Sequence, residues 1–237
     1  MSTISWTRIT VLIDNEPNED LINEWGLSMW VETPLWRCLF DAGTNPSTLK
    51  HNMSKLKIDP SRLDFAVLSH HHYDHLGGFS YIGEEVPNLT VYIPPNSKEK
   101  LESWSLKPQI INETKKIAED AYIIGPLEAW TGFREIALAI NVDEIGLIVL
   151  VGCSHPGVDN IVLKTLEDLG REIYAIIGGF HKPSKKALDK VAKIVKRIFP
   201  AHCTGSNSKR YLIKNYPDKY GEIRTGTILE FSTTNLP

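Results

Sequence analysis

Several features that would assign this chain of 237 residues to a specialised class are missing. It has only three cysteines, Cys38, Cys153 and Cys203, an odd and scattered set that does not suit a disulfide framework. No apolar run approaches the roughly 18 residues of a membrane span. The first residues lack the charged start and apolar core of a signal peptide. We therefore expect a cytoplasmic protein without a membrane partner.

A basic excess and internal repeats are missing as well. The chain has 26 lysines and arginines against 29 aspartates and glutamates, a formal net charge of −3, whereas nucleic-acid-binding surfaces usually carry a strong positive charge. Hydrophobic residues make up 42% of the chain and charged residues 23%, which is typical of a globular domain. We expect one domain over residues 1–237 and no nucleic-acid partner.

The hydrophobic pattern predicts strands in the first half and alternating strands and helices in the last third. A hairpin is expected over residues 134–142 and 146–152. Residues 158–169 have helical spacing that ends at Gly170, and Ser184 is a good N-cap for a further helix. This order predicts an α/β fold of two mixed sheets packed face to face with helices outside, a four-layer αββα sandwich.

Residues 96–132 follow no clear pattern, with Trp104, Trp130 and several prolines in mixed polar sequence. A loop-rich insertion over a functional site would have this composition, and so would a pair of poorly patterned core strands. We predict the insertion and keep the strand pair as its alternative.

Metal-binding residue types are concentrated over residues 69–78, which read Ser-His-His-His-Tyr-Asp-His-Leu-Gly-Gly and follow an apolar run. An extended backbone would point His70, His72 and Asp74 the same way and His71 away. A turn at the glycines would then aim His75 at the same cavity. Imidazole nitrogen and carboxylate oxygen are ligands that zinc and, less selectively, iron or manganese prefer. A tag fragment would be terminal, so the segment predicts a metal site.

The spacing His70-x-His72-x-Asp74-His75, followed by Leu-Gly-Gly, resembles the first metal motif of the metallo-β-lactamase-fold superfamily. Asp41-Ala42-Gly43 resembles the turn that precedes this motif. The resemblance implies the αββα sandwich and two metals, the first bound by His70 and His72 and the second by Asp74 and His75.

Three later histidines, His155, His181 and His202, each lie just past an apolar segment, where the ligands of α/β sheets collect. The segments Gly-Cys-Ser-His, ending at His155, and His-Cys-Thr-Gly, starting at His202, resemble motifs of one superfamily branch. That branch includes the dihydropterin aminobenzene-phosphate synthases and uncharacterised hydrolase-like proteins. We expect His155 to complete the first metal site, or to occupy the bridging region, and His202 to complete the second. His181 is either a catalytic hydrogen-bond donor to substrate or a helix-entry residue.

The sequence also departs from the family pattern. Trp25 stands where branch members often have histidine, and Cys153 follows Gly152 where many superfamily members carry a bridging aspartate. We interpret Cys153 as a buried structural cysteine, with a thiolate ligand as the alternative. His72 stands where members that handle oxygen or nitric oxide carry glutamate, which favours zinc and non-redox chemistry.

Two metals about 3.5–4 Å apart can hold a hydroxide, orient an ester or phosphoryl group and stabilise its leaving oxygen. The sequence therefore predicts a dinuclear zinc hydrolase of a small anionic phosphorylated or ester substrate, with Asp74 also accepting the proton of water and with Mn²⁺ or Fe²⁺ as substitutes for Zn²⁺. A transferase-like synthase of pterin biosynthesis is one alternative, and a non-catalytic metal-binding sensor or scaffold is the other. Aromatic residues Trp25, Trp104, Trp130 and Phe133 predict a ring-bearing anion rather than a polymer, with the packing of a loop onto the sandwich as the alternative role of these rings. The oligomeric state stays open.

Overall fold

The computed structural model describes residues 3–18, 20–95 and 98–234. The two residues that open the predicted insertion, Asn96 and Ser97, lie outside the described residues, as do both ends of the predicted 1–237 domain. Within the described ranges, no helix is both long enough and apolar enough to cross a membrane.

Two β-sheets form the centre of the fold. The first contains β1 (Trp6–Ile13), β2 (Ser28–Glu32), β3 (Arg37–Phe40), β4 (Phe65–Val67), β5 (Thr90–Ile93), β6 (Lys107–Ile110) and β13 (Ile228–Ser232). Its strand order is β13-β1-β2-β3-β4-β5-β6. Strands β13 to β3 pair antiparallel and β3 to β6 pair parallel.

The second sheet contains β7 (Lys115–Ala118), β8 (Ala121–Trp130), β9 (Phe133–Val142), β10 (Gly146–Val151), β11 (Ile173–Gly179) and β12 (Arg197–Ala201). Its order is β12-β11-β10-β9-β8-β7. Strands β7 to β10 pair antiparallel, which confirms the predicted hairpin of β9 and β10, and β10 to β12 pair parallel.

Helices cover the outer face of each sheet. Those on the first sheet are α1 (Pro46–Lys55), α2 (Tyr73–Leu76), α3 (Phe79–Glu85) and α4 (Glu99–Ser103), and those on the second are α5 (Val158–Leu169), α6 (Lys185–Ile194) and α7 (Ser206–Asn215). Short 3₁₀ turns span Pro60–Arg62 and His202–Thr204. Helix α5 ends at Gly170 in the left-handed conformation, and the Ser184 hydroxyl accepts a hydrogen bond from the Ala187 N–H at the start of α6, as the sequence predicts.

Three apolar clusters join these layers. The cluster between the sheets includes Phe40, Leu138, Ile148, Ile177 and Phe231, all almost completely buried. A second cluster packs α1, α3 and α4 on the first sheet, and a third packs α5, α6 and α7 on the second. Burying side chains of this size stabilises a fold by roughly 1.5–3 kcal/mol each. The layers are those of the predicted αββα sandwich, so the fold class is confirmed.

The prediction of a loop-rich insertion is wrong for the described part of residues 96–132. This stretch contains α4, β6, β7 and all of β8, which extend the edges of both sheets. Two of its strands, β6 and β7, lack a clear apolar alternation because they are edge strands that bury little, and most side chains of β6 are exposed. Only the last residues of β8 reach the candidate site.

The parallel pairings bring many strand ends to one end of the sandwich. Strands β1, β3 and β4 run in the same direction in the first sheet, as do β10, β11 and β12 in the second. Strand β9 is antiparallel to β10, so its first residues lie beside the carboxyl end of β10. Contacts between side chains that follow β4 and β10 show that the two sets of ends meet.

Candidate metal centre

The histidine-rich motif changes conformation part-way through. Strand β4 ends at Val67, His72 is the N-cap of the short helix α2, and Asp74 and His75 lie within that helix. An extended backbone through Asp74 is therefore wrong. Because the helical turn rotates successive side chains, Asp74 and His75 face a different group of residues from His70 and His72.

Two glycines hold this helical turn close to the loop that follows β3. A Cβ on Gly77 would lie 1.9 Å from the carbonyl oxygen of Thr44, and one on Gly78 would lie 2.0 Å from that of Ala42. The Ala42 N–H donates to the His75 carbonyl over 2.8 Å. Glycine is needed at both positions because backbone meets backbone there.

The first ligand group consists of His70, His72 and His155. His70 Nε2 lies 3.1 Å from His72 Nδ1, so these two ring nitrogens face each other. The His155 ring follows β10 and has its centroid 4.7 Å from the His70 ring and 4.9 Å from the His72 ring. The structure thus brings together the three residues that the sequence assigns to the first metal.

The second group consists of Asp74, His75 and His202. Asp74 Oδ2 lies 3.2 Å from His202 Nε2 and 3.9 Å from His75 Nε2. The two groups adjoin, since the ring centroids of His70 and His75 are 4.2 Å apart. All six predicted ligands therefore line one pocket.

Asp41 links the two groups, because it contacts His75 directly and His70 through Ser69. Its Oδ2 lies 2.7 Å from His75 Nδ1 and accepts the Ser69 hydroxyl over 2.7 Å, while its Oδ1 accepts the Ser69 N–H. The Ser69 oxygen, having donated its proton to Asp41, is left to accept from His70 Nδ1 at 2.9 Å. Both rings are thus oriented with Nε2 toward the pocket.

Glu135 orients His155, and our sequence reasoning did not identify it. One of its oxygens accepts the N–H groups of Cys153 and Ser154, and the other accepts the His155 N–H and lies 3.0 Å from His155 Nδ1. It is 1% exposed on a strand of otherwise mostly apolar buried residues. The sequence signal that could have identified Glu135 is a single acid in an apolar strand, because a buried carboxylate needs a partner.

A third anchor holds His202. The Asn15 side-chain oxygen lies 3.0 Å from His202 Nδ1, and Asp14, buried at the end of β1, accepts the His202 N–H over 2.7 Å. His202 Nε2 is buried without a hydrogen-bond partner of good geometry. This orphaned nitrogen is available to a metal.

The protonation states of the two groups suit metal binding. Burial lowers the pKa of His70 well below its usual value and lowers the pKa of His72 and His202, so these rings are neutral near pH 7. Burial would raise the pKa of Asp74, but the neighbouring His202 and His75 rings outweigh it and keep the carboxylate ionised. His75 differs, because Asp41 outweighs burial and raises its pKa.

The donor set fits divalent metals such as zinc. Five imidazoles and one carboxylate supply nitrogen and oxygen ligands, in two groups of three. Four of the rings have one nitrogen engaged by a named oxygen, which leaves the other directed at the pocket. Such outer contacts are the usual supports of metal-binding histidines.

The other residues that the sequence singled out lie at different places relative to the two ligand groups. His181 is exposed after β11, with its ring centroid 4.4 Å from that of His155, so it lies at the mouth of the pocket. Cys153 is buried inside it, with Sγ 3.3 Å from His75 Nε2. His71 Nε2 is buried and has no hydrogen-bond partner; no ring contact joins His71 to the ligand groups within the described ranges.

Aromatic rings flank both ligand groups. Trp25 is 61% exposed and lies 4.9 Å from the His202 ring. On the other side, Trp130 stacks on Phe133 at 4.3 Å, and Phe133 lies 4.8 Å from the His72 ring. Trp104 instead packs against the apolar cluster under α3 and α4, so the expectation that it flanks the site is wrong.

Comparisons with known proteins agree with this architecture. Residues 36–141 match the beta-lactamase superfamily domain. The crystal structure of Tm1679, a metal-dependent hydrolase of the beta-lactamase superfamily, superimposes with a TM-score of 0.81 at 25% identity, covering 95% of this chain and 99% of that one. The chain has the metallo-β-lactamase fold. Within this fold the stretch from residue 36 to 141 covers the metal motif and Glu135.

Two proteins of Methanocaldococcus jannaschii are similar over nearly their whole length. One is 7,8-dihydropterin-6-methyl-4-(beta-D-ribofuranosyl)-aminobenzene-5'-phosphate synthase, 29% identical, with 90% of this chain and 92% of the relative covered. The other is an uncharacterised protein, 28% identical, with 91% and 97% covered. The metallo-β-lactamase-fold chain thus resembles both metal-dependent hydrolases and a pterin-related synthase.

Proposed function

We propose that this protein is a dinuclear metal-dependent hydrolase, with zinc as its metal, that acts on a small anionic phosphorylated or ester substrate. The observation that carries the proposal is the pair of adjoining ligand groups, His70, His72 and His155 beside Asp74, His75 and His202. Two divalent ions in these groups would supply Lewis acidity to activate water and polarise the substrate's oxygens.

The residues around the pocket support this chemistry. Asp74 is ionised and 18% exposed at its side chain, so it can accept a proton from water as well as bind a metal. His181, at the mouth of the pocket, would donate a hydrogen bond to a leaving-group oxygen; the short distance between its ring and that of His155 supports this role. Lys182 follows it and adds positive charge for an anionic substrate.

The exposed tryptophans favour a substrate that carries a flat ring. Trp25 lies beside one ligand group and the Trp130–Phe133 stack beside the other, and such faces bind rings by stacking.

A second candidate function, a synthase of pterin biosynthesis, is favoured by the similarity to the dihydropterin-related synthase of Methanocaldococcus jannaschii. A pterin phosphate would satisfy the same ring and anion requirements.

A substrate screen tests the proposal. Zinc-loaded protein would be assayed with phosphodiesters, phosphomonoesters, lactones and pterin phosphates, and the Trp130→Ala variant would be compared with Trp6→Ala, whose ring lies at the start of β1, away from the metal pocket. We expect hydrolysis of a ring-bearing anion and a KM raised several-fold by Trp130→Ala alone. Condensation of a pterin without any hydrolysis would favour the synthase, and binding of long RNA or DNA only would contradict both.

A further inference from the structure

Cys153 occupies a shared position in the metal pocket. It is 3% exposed, it lies two residues after the end of β10, and its N–H donates to Glu135 Oε1 over 2.9 Å. Its Sγ lies 3.3 Å from His75 Nε2. The thiol therefore points into the ligand groups rather than into the apolar core.

The sulfur lies close to two histidines of each ligand group. Cys153 Sγ and ring nitrogens of His70 and His155 all lie within 4.8 Å of one another, and the same holds for Cys153 Sγ with His75 and His202. Among the residues described in the structure, Cys153 is the side chain common to these two groups, and it also lies within the same distance of His181 and Cys203 in a third group. A ligand in this position can contact two metals.

The buried carboxylates nearby are already occupied. Asp41 is engaged by Ser69 and His75, Glu135 by three backbone N–H groups and His155, and Asp14 by the N–H groups of His202 and Glu16. None of these three has an oxygen that is shown facing both groups. The thiol of Cys153, in contrast, lies near both groups.

We propose that Cys153 is a bridging thiolate ligand that joins the two metals. Zinc–sulfur bonds of about 2.3 Å allow one sulfur to reach two zinc ions up to ~4.6 Å apart, which accommodates the 3.5–4 Å typical of two-metal sites. Two metal–sulfur bonds form and the S–H bond breaks, with its proton released to solvent. A thiolate also selects zinc over magnesium or manganese. The inference rests on the metal-binding part of the proposed function, but not on its substrate.

X-ray absorption at the zinc edge of the fully loaded protein tests the bridge without an activity assay. The wild-type protein is expected to show about one sulfur per zinc at about 2.3 Å, because a single bridging sulfur is counted by both ions. The sulfur signal should disappear in Cys153→Ser and persist in the matched control Cys203→Ser, with circular dichroism confirming that each variant is folded.

The outcomes separate the inference from the proposed function. About half a sulfur per zinc would mean a terminal ligand on one metal and would overturn the bridge, as would two bound zinc ions without sulfur, or a signal lost only in Cys203→Ser. A wild-type protein that binds no zinc would overturn the bridge and the dinuclear hydrolase together. If Cys153→Ser fails to fold, the wild-type sulfur count and its persistence in Cys203→Ser still decide, because Cys38 is buried in the core between the sheets.

Discussion

Buried acids behind the histidines determine which ring nitrogen faces the pocket. Asp41 acts on His75 directly and on His70 through Ser69, Glu135 acts on His155, and the neighbouring Asp14 fixes the backbone of His202. Each acid is at most 1% exposed. A buried carboxylate is costly unless fully paired, and the contacts with these histidines and with nearby N–H groups supply that pairing.

Replacing Glu135 with glutamine should weaken the first ligand group while leaving the second intact. The amide keeps the size of the side chain but loses one acceptor oxygen, so His155 is no longer held by a carboxylate. We expect metal affinity to fall about 10–100-fold for one of two bound ions, as measured by competitive chelator titration. Glu172→Gln, on an exposed surface ion pair, should change nothing. Equal weakening by both variants would contradict the role of Glu135.

Asp74→Asn should keep the fold and remove most turnover. The exchange is nearly isosteric, but it removes the carboxylate that faces His202 and His75. We expect kcat for a chromogenic phosphodiester to fall by a factor on the order of 10²–10⁴, with an unchanged circular dichroism spectrum. Asp218→Asn, an exposed residue after α7, is the control. Full activity of a metal-loaded Asp74→Asn protein would disprove the proposed mechanism.

Among the elements, α2 is the one whose packing the site depends on most. It has only four residues, too few for a stable isolated helix, so its position comes from tertiary contacts. The backbone bonds of Asp74 and His75 to Leu27 and Ala42, together with the close approach at Gly77 and Gly78, hold it in place.

Gly77→Ala should therefore destabilise the protein more than an alanine at an unhindered glycine. Its Cβ would overlap the Thr44 carbonyl oxygen at 1.9 Å, and overpacking of this kind costs about 3 kcal/mol. At Gly170 a Cβ meets nothing within 4 Å, so only the left-handed backbone is penalised, by roughly 1 kcal/mol. Urea unfolding of both variants measures the difference, and equal losses would show that the contact at Gly77 is unimportant.

The sequence reveals elements with strong patterns and misses those with weak ones. The β9–β10 hairpin, the Gly170 stop and the Ser184 cap follow from alternation and capping chemistry, and the structure has all three. Strands β6 to β8 were missed because exposed positions interrupt their alternation. Helix α2 was missed because four residues carry no helical period.

The candidate site was predictable to a similar extent. The motif at residues 70–75 and the histidines after strand ends identify the six residues that the structure groups together. Glu135 was not identified, since only three-dimensional packing brings it to residues 153–155. Trp104 was assigned to the site because position in the sequence does not distinguish an inward-packed ring from one at the pocket.

At the scale of the whole molecule, the metals would join the two sheets. His70, His72, Asp74 and His75 follow a strand of the first sheet, whereas His155 and His202 follow strands of the second. A ligand that binds only the folded state stabilises it by mass action. Bound metal therefore links the halves of the sandwich beyond the apolar core.

Removal of metal should lower the thermal stability of the whole chain. Free zinc at about 100 times its Kd stabilises the folded state by about 2.7 kcal/mol per site, which for a chain of this size corresponds to a Tm shift of roughly 5–10 °C. We expect calorimetry to show that loss after treatment with EDTA and its recovery with zinc. A Tm that does not respond to either treatment would argue against metal binding at the sheet junction.

Anomalous diffraction at the zinc edge shows whether a dinuclear site lies between the sheets. We expect two peaks per chain, one among His70, His72 and His155 and the other among Asp74, His75 and His202. A single peak, a peak elsewhere, or no peak in crystals grown with zinc would contradict it.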